Sequence, residues 1–285
     1  MGHNMARTSA AETGREATPA RRVNIGMVVL AVTALTCLLG PFLWHFEATQ
    51  IGAGLPFLGP GFEHPFGTDD LGRDQLARLM VGGRITVIVA AGSALLSILI
   101  GVTWGVLAAA RRGWMDEVLM RTADAFMAIP QIVFALVFVA AFGSSILSLT
   151  IIIGVLLAPT TARIVRSVAM SELSSDYAVA ARACGLGRTR VMATEILPNV
   201  LPTIMVQATI NVAAAIILEA TLSFIGLGIQ PPDASWGTLL LQGYGKFYNS
   251  AWLVLVPTVW IVVTIWALTA TSESLRSRAR REAAA

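Results

Sequence analysis

Six long apolar runs, separated by polar segments of unequal length, set the pattern of the chain. They are Val23 to Trp44, Ile85 to Ala110, Phe126 to Phe142, Ile146 to Val165, Leu201 to Ile225 and Trp252 to Ala270. A helix needs about 17–25 apolar residues to cross the hydrocarbon of a bilayer, and it satisfies its own backbone hydrogen bonds where lipid cannot. The pattern therefore predicts an all-α integral membrane protein with six transmembrane helices. The third span is short, and Pro159 should kink the fourth. Residues 1–22 are polar, small and basic, and read as a tail outside the bundle. The first run exceeds a secretory h-region and no A-x-A site follows it, so an uncleaved helix is expected.

Composition supports this class. Of the 285 residues 55% are hydrophobic and 13% charged, against about 25% charged in an ordinary soluble domain; mean hydropathy is +0.72. The net charge of +3 is carried by arginine, since Lys246 is the sole lysine. With the N-terminus inside, the cytoplasmic segments hold Arg7, Arg15, Arg21, Arg22, Arg111, Arg112, Arg121, Arg163, Arg166, Arg182, Arg188, Arg190 and the arginines from Arg276 to Arg281. The opposite segments hold Arg73, Arg78, Arg84 and Lys246. That asymmetry places both termini in the cytoplasm. Arginines gathered at the ends of apolar runs set topology and do not form a nucleic-acid face. The two long outer segments are 45–82 and 226–251, and the aromatics Trp236, Tyr244, Phe247, Tyr248 and Trp252 suit a membrane interface.

Candidate chemistry is sparse. Cys37 and Cys184 have no paired spacing, and His3, His45 and His64 are scattered, so no metal site is expected. A Walker A lysine is missing: Lys246 is followed by Phe247 and lies outside. No catalytic constellation appears, and the chain is not expected to be an enzyme. The second run spaces small residues four apart, at Ser93, Ser97, Gly101 and Gly105, a face for close helix packing, static or mobile. In the fifth run Gln207, Asn211 and Glu219 share an arc of about 120° at 100° per residue. An intramembrane carboxylate should face protein or water. The arc reads either as the lining of a path or permease interface, or as an interhelical hydrogen-bond cluster. Asp124 reads as a helix-start residue favoured by the dipole.

One polar stretch interrupts this economy: "DYAVAARACGLGRTRVMATEILPN", residues 176–199. Asp176 to Cys184 reads as a short helix that Gly185 and Gly187 break, and Arg188 to Ile196 as a second that Pro198 stops. The stretch resembles the EAA loop of ABC-importer permeases. The match falls on Ala180, Ala181, Gly185, Leu197 and Pro198, while Val179 replaces the motif's glutamate, so that acid's role does not transfer. "HPFGTDDLGRD" (64–74) and "EATLSFIGLGIQPPDASWG" (219–237) resemble signatures of the C-type permease of dipeptide and oligopeptide importers.

The resemblance spans about 23–275 and implies a six-helix permease of the type I importer fold in a bacterial inner membrane. Residues 1–22 and 276–285 would be cytoplasmic tails and 168–199 the coupling loop. The implied partners are a second permease in a heterodimer, two ATPase subunits holding ATP and Mg, and an extracytoplasmic substrate-binding protein. No cofactor would be bound by this chain. Coupling would rest on the matched residues with Asp176, Leu186 and Gly187. Nickel or glutathione are alternative cargoes, and an ATP-independent secondary transporter is the rival of a different class.

Overall fold

The structure, a computed structural model, describes residues 19–111 and 113–282. Most of the expected N-terminal tail, Arg112 and the last three residues lie outside the described residues. Among the described residues the regular structure is helical, apart from one isolated antiparallel bridge between Thr68 and Asp74. In order come α1 (Pro19–Leu43), α2 (Gln75–Arg111), α3 (Trp114–Ala128), α4 (Gln131–Phe142), α5 (Ile146–Glu172), α6 (Asp176–Ala183), α7 (Arg188–Val191), a π-turn (Met192–Ile196), α8 (Leu197–Phe224), α9 (Trp236–Tyr244) and α10 (Trp252–Glu282). Five spans are long and apolar enough to cross a membrane, and six if the bent pair α3–α4 counts as one.

Four boundaries differ from those the apolar runs predict. First, α2 begins at Gln75, ten residues before Ile85. Its polar first turns are buried because Arg78 donates to Asp69 at 2.6 Å and to Gln242 at 2.7 Å.

Second, the run from Phe126 to Phe142 is not one helix. It breaks at Ile129–Pro130 and bends by 87°. Ile129 is extended, at φ −82° and ψ 127°, the conformation that a following proline enforces. Asp124 therefore sits near the C-terminal end of α3, not at a helix start, and pairs with Arg163.

Third, Pro198 does not stop the helix that begins at Arg188. The span continues from Arg188 to Phe224. A π-turn absorbs the proline: the Leu197 N–H donates to Met192 O, five residues back. Fourth, α10 carries on through the expected C-terminal tail to Glu282. The fourth span runs unbroken through Pro159.

The small-residue face of α2 meets α5. A Cβ at Gly101 would lie 2.5 Å from Thr161 Cβ, and one at Gly105 would lie 2.5 Å from Ala162 O. Glycine there permits a backbone approach that no side chain would. Ser93, fully buried, donates to Thr150 O at 3.0 Å. This face is thus closely packed on α5.

Two apolar cores follow. The larger gathers α1, α2, α5, α8 and α10 around Leu79, Val89, Ile153, Ile216, Leu222 and Trp236. The smaller lies at the other end of the bundle. It joins the ends of α2, α5 and α8 to α6 and α7 through Ala109, Val165, Leu173, Ala178, Val191 and Ile196.

Candidate functional site

The stretch at 176–199 forms a knob built on the smaller core. Ser175 precedes α6 in an extended conformation, and Asp176 lies in its first turn, where the helix dipole favours an acid. The helix ends in a Schellman motif. Gly185 N–H donates to Arg182 O at 3.0 Å, and Leu186 N–H to Ala181 O at 3.3 Å. Gly185 takes φ +85°, which glycine adopts without a Cβ penalty. Leu186 and Ala181 pack together on the smaller core, where Ala178 is wholly buried.

The opposite face is open and small. Asp176, Val179, Ala180, Ala183, Gly185 and Gly187 are exposed. A Cβ at Gly185 or Gly187 would meet nothing of this chain within 4 Å. Arginines fasten the knob from behind: Arg182 donates to Leu173 O at 3.1 Å, and Arg188 to Ala109 O at 3.0 Å. Tyr177 donates to Glu172 at 2.5 Å; partial burial and then that bond push its hydroxyl above its ordinary value. Leu197 and Pro198 lie apart from the exposed face, in the first turn of α8.

Gln207, Asn211 and Glu219 do not form one unit. All three are buried, and they split into two clusters. In the first, Gln207 donates to Asn211 Oδ1 at 2.8 Å. Asn211 donates at 2.9 Å both to Ser97 Oγ and to Thr161 Oγ1, tying α8 to α2 and α5.

In the second cluster, donors run toward Glu219 from the first turn of α9. Trp236 N–H donates to Thr86 Oγ1 at 3.2 Å, and Thr86 donates to Glu219 Oε2 at 3.1 Å. Thr238 N–H donates to Ser235 Oγ at 3.3 Å, Ser235 to Ser223 at 3.2 Å, and Ser223 to Glu219 Oε1 at 2.7 Å. Glu219 is thus linked through hydroxyls to two of the N–H groups that a helix start leaves unpaired. Within this chain the arc residues are engaged in hydrogen bonds inside the bundle.

A polar clasp around Asp69 and Asp74 was not anticipated from the sequence. Asp69 accepts from both Arg73 Nε and Arg78 Nη1 at 2.6 Å, and Lys246 lies 3.4 Å from Asp70. Asp74 accepts from Ala77 N–H at 2.8 Å and Trp44 Nε1 at 3.0 Å, and lies 2.8 Å from His64 Nδ1. Three acids within "TDDLGRD" were the available signal. Trp236, expected at a membrane interface, is instead fully buried and donates to Leu79 O at 3.1 Å; Tyr244 and Tyr248 are exposed. Cys37 is buried and Cys184 exposed. No group of three or more metal-capable side chains occurs among the described residues.

Comparison with known proteins agrees with this architecture. Residues 101–281 match the family of the binding-protein-dependent transport system inner membrane component. A protein of Brucella suis biovar 1 (strain 1330), named as a peptide transport system permease, is 36% identical over 264 residues, 93% of this chain and 89% of its own. The oligopeptide transport system permease protein OppC of Bacillus subtilis (strain 168) is 30% identical over 252 residues, 88% and 83%. A chain of the methionine ABC transporter MetNI, inward facing, shares the fold at TM-score 0.59 and 21% identity, over 70% of this chain and 95% of that one. The chain belongs to the family of binding-protein-dependent transport system inner membrane components. It is a non-catalytic permease component of an ABC importer, resident in the inner membrane.

Proposed function

We propose that this chain imports short peptides, pairing with a second permease to form the translocation path. Two ATPase subunits, which hold ATP and Mg, power the import, and an extracytoplasmic binding protein delivers the cargo. The names of the relatives support the cargo. Taking α3–α4 as one span, the chain would cross six times, and the arginine asymmetry supports an orientation with both termini and the knob in the cytoplasm.

The observation that carries the coupling role is the knob itself. A short helix with an exposed face of Ala180, Ala183, Gly185 and Gly187 is cemented by its own apolar core to three membrane spans. A partner closing around that face would move α2, α5 and α8 together, and so drive alternating access. Asp176, Ala180, Ala181, Gly185, Leu186 and Gly187 form or brace the contact, and Leu197 and Pro198 transmit it into α8. Gln207 and Asn211 then help to hold α2, α5 and α8 together as they move, and the Glu219 network seats α9 on them.

The test is reconstitution. The chain, co-expressed with candidate permease, ATPase and binding-protein subunits from the same genome, is purified and placed in liposomes. ATP-driven accumulation of labelled di- to pentapeptides is the expected result. Uptake driven by an ion gradient without ATP, or ATP-driven uptake of nickel or glutathione but no peptide, would overturn this reading.

A further inference from the structure

At the end of the bundle where α4 stops, α5 starts and α8 has just ended, a cavity of about 450 Å³ opens. That is within the usual size of a small-molecule site, about 300–1,000 Å³. Ser144, Ser145, Ile146, Ile229, Gln230 and Asp233 line it. We infer that this cavity is an ammonium subsite at the outer mouth of the path, holding the free amino group of a cargo peptide. The inference rests on the peptide-importer reading and on its orientation.

The charge in the cavity has one sign. Asp233 is the only ionisable residue among those lining it. Asp233 makes no ion pair or hydrogen bond with the described residues, whereas Asp69, Asp70 and Asp74 are each paired on the outer clasp. The other polar atoms supply acceptors. Gln230 spends its Nε2 on Gly226 O and Gly228 O, at 3.2 and 3.0 Å, which leaves Oε1 unengaged among the described residues. Ser144 Oγ is unengaged among the described residues, while Ser145 Oγ caps α5 through the Ser148 N–H. A primary ammonium has three donors and no acceptor. A carboxylate, an amide oxygen and a hydroxyl complement it, with Ile146 and Ile229 for the carbon beside the nitrogen.

Asp233 itself is exposed, while chain neighbours on either side are fixed. Ile229 before it and Ala234 after it are buried, and Ser235 and Trp236 are locked into the Glu219 network.

The experiment compares reconstituted complexes carrying the parent chain, Asp233→Asn or Asp233→Glu. Uptake is measured for a free tripeptide and for its N-acetylated form. The binding protein contributes the same preference in every complex, so the change in the ratio isolates Asp233. The free-to-acetylated ratio should fall about tenfold or more in Asp233→Asn, the size of a lost hydrogen bond to a charged group, and recover in part in Asp233→Glu. A ratio equal to the parent's would overturn the subsite while leaving the importer reading intact. A parent complex that transports no peptide would overturn both.

A third cargo, N-acetylated but carrying a lysine, separates the sources. Dependence on Asp233 there assigns the site to any ammonium; its absence assigns it to the α-amine. Should Asp233→Asn not assemble, a Ser144→Cys chain with Asp233 intact gives the same answer. Free tripeptide should slow its labelling by a thiol reagent more than acetylated tripeptide does. Equal protection would contradict the subsite.

Discussion

Leu186 N–H reaches back to the carbonyl of Ala181 at 3.3 Å, closing a Schellman turn over the left-handed Gly185. The bond ends α6 and turns Leu186 down against Ala181 on the smaller core. It leaves the small residues of α6 facing outward on a rigid mount. The glycine is required here by backbone conformation. Its missing side chain leaves open space within this chain, so any demand for smallness beyond φ comes from a partner.

The packing of α2 on α5 should be intolerant of added volume. A Cβ at Gly105 would lie 2.5 Å from Ala162 O and 3.0 Å from Arg166 N, both backbone atoms that cannot swing away. Gly105→Val should cost about 3 kcal/mol or more. The measurement is thermal unfolding of the purified chain in detergent, with a clearly lowered midpoint expected.

The Asn211 cluster should behave as a structural tie. Asn211→Leu leaves Ser97 and Thr161 without their amide partner. Coupling energies between helices in a membrane average about 0.6 kcal/mol and reach about 1.7. A double-mutant cycle of Asn211→Leu with Thr161→Val should return a coupling in that range. A coupling of zero would remove the tie.

Glu219 should matter for the seating of α9. Leu239 is 2% exposed in the parent, and Leu239→Cys should resist an impermeant thiol reagent added outside. Combined with Glu219→Leu, which removes the acceptor for Thr86 and Ser223, the same cysteine should label several-fold faster. Unchanged protection would show that α9 holds without Glu219.

The orientation can be read from two exposed sites. Cys184 is exposed on the knob, and Tyr248 is fully exposed at 102% in the segment after α9. In sealed right-side-out vesicles a Tyr248→Cys chain should label with impermeant reagent at residue 248 and not at Cys184. Labelling of Cys184 from outside would invert the topology.

Apolar length and arginine placement made the spans, their order and the knob legible in the sequence. What hydropathy could not report was polar burial. Arg78 looks like a loop residue until Asp69 and Gln242 supply its partners. The break at Pro130 was hidden because the apolar run continues on both sides of it. Gln207, Asn211 and Glu219 share one face of a helical wheel, yet a rise of 1.5 Å per residue puts Glu219 about 12 Å beyond Asn211. Direction around the axis was readable from spacing. The identity of the neighbours at each depth required the other helices.

The coupling role of the knob is the central claim, and Ala180 tests it most directly. Ala180 is exposed on α6, so Ala180→Trp should change the stability of the chain itself by no more than about 0.5 kcal/mol. The measurement is ATP-driven peptide uptake by the reconstituted complex, with ATPase co-purification scored on the same samples. The account predicts normal amounts of the chain in the membrane, uptake reduced about tenfold or more, and weaker recovery of the ATPase subunits. Uptake and co-purification equal to the parent's, with tryptophan in the middle of the proposed contact, would contradict it.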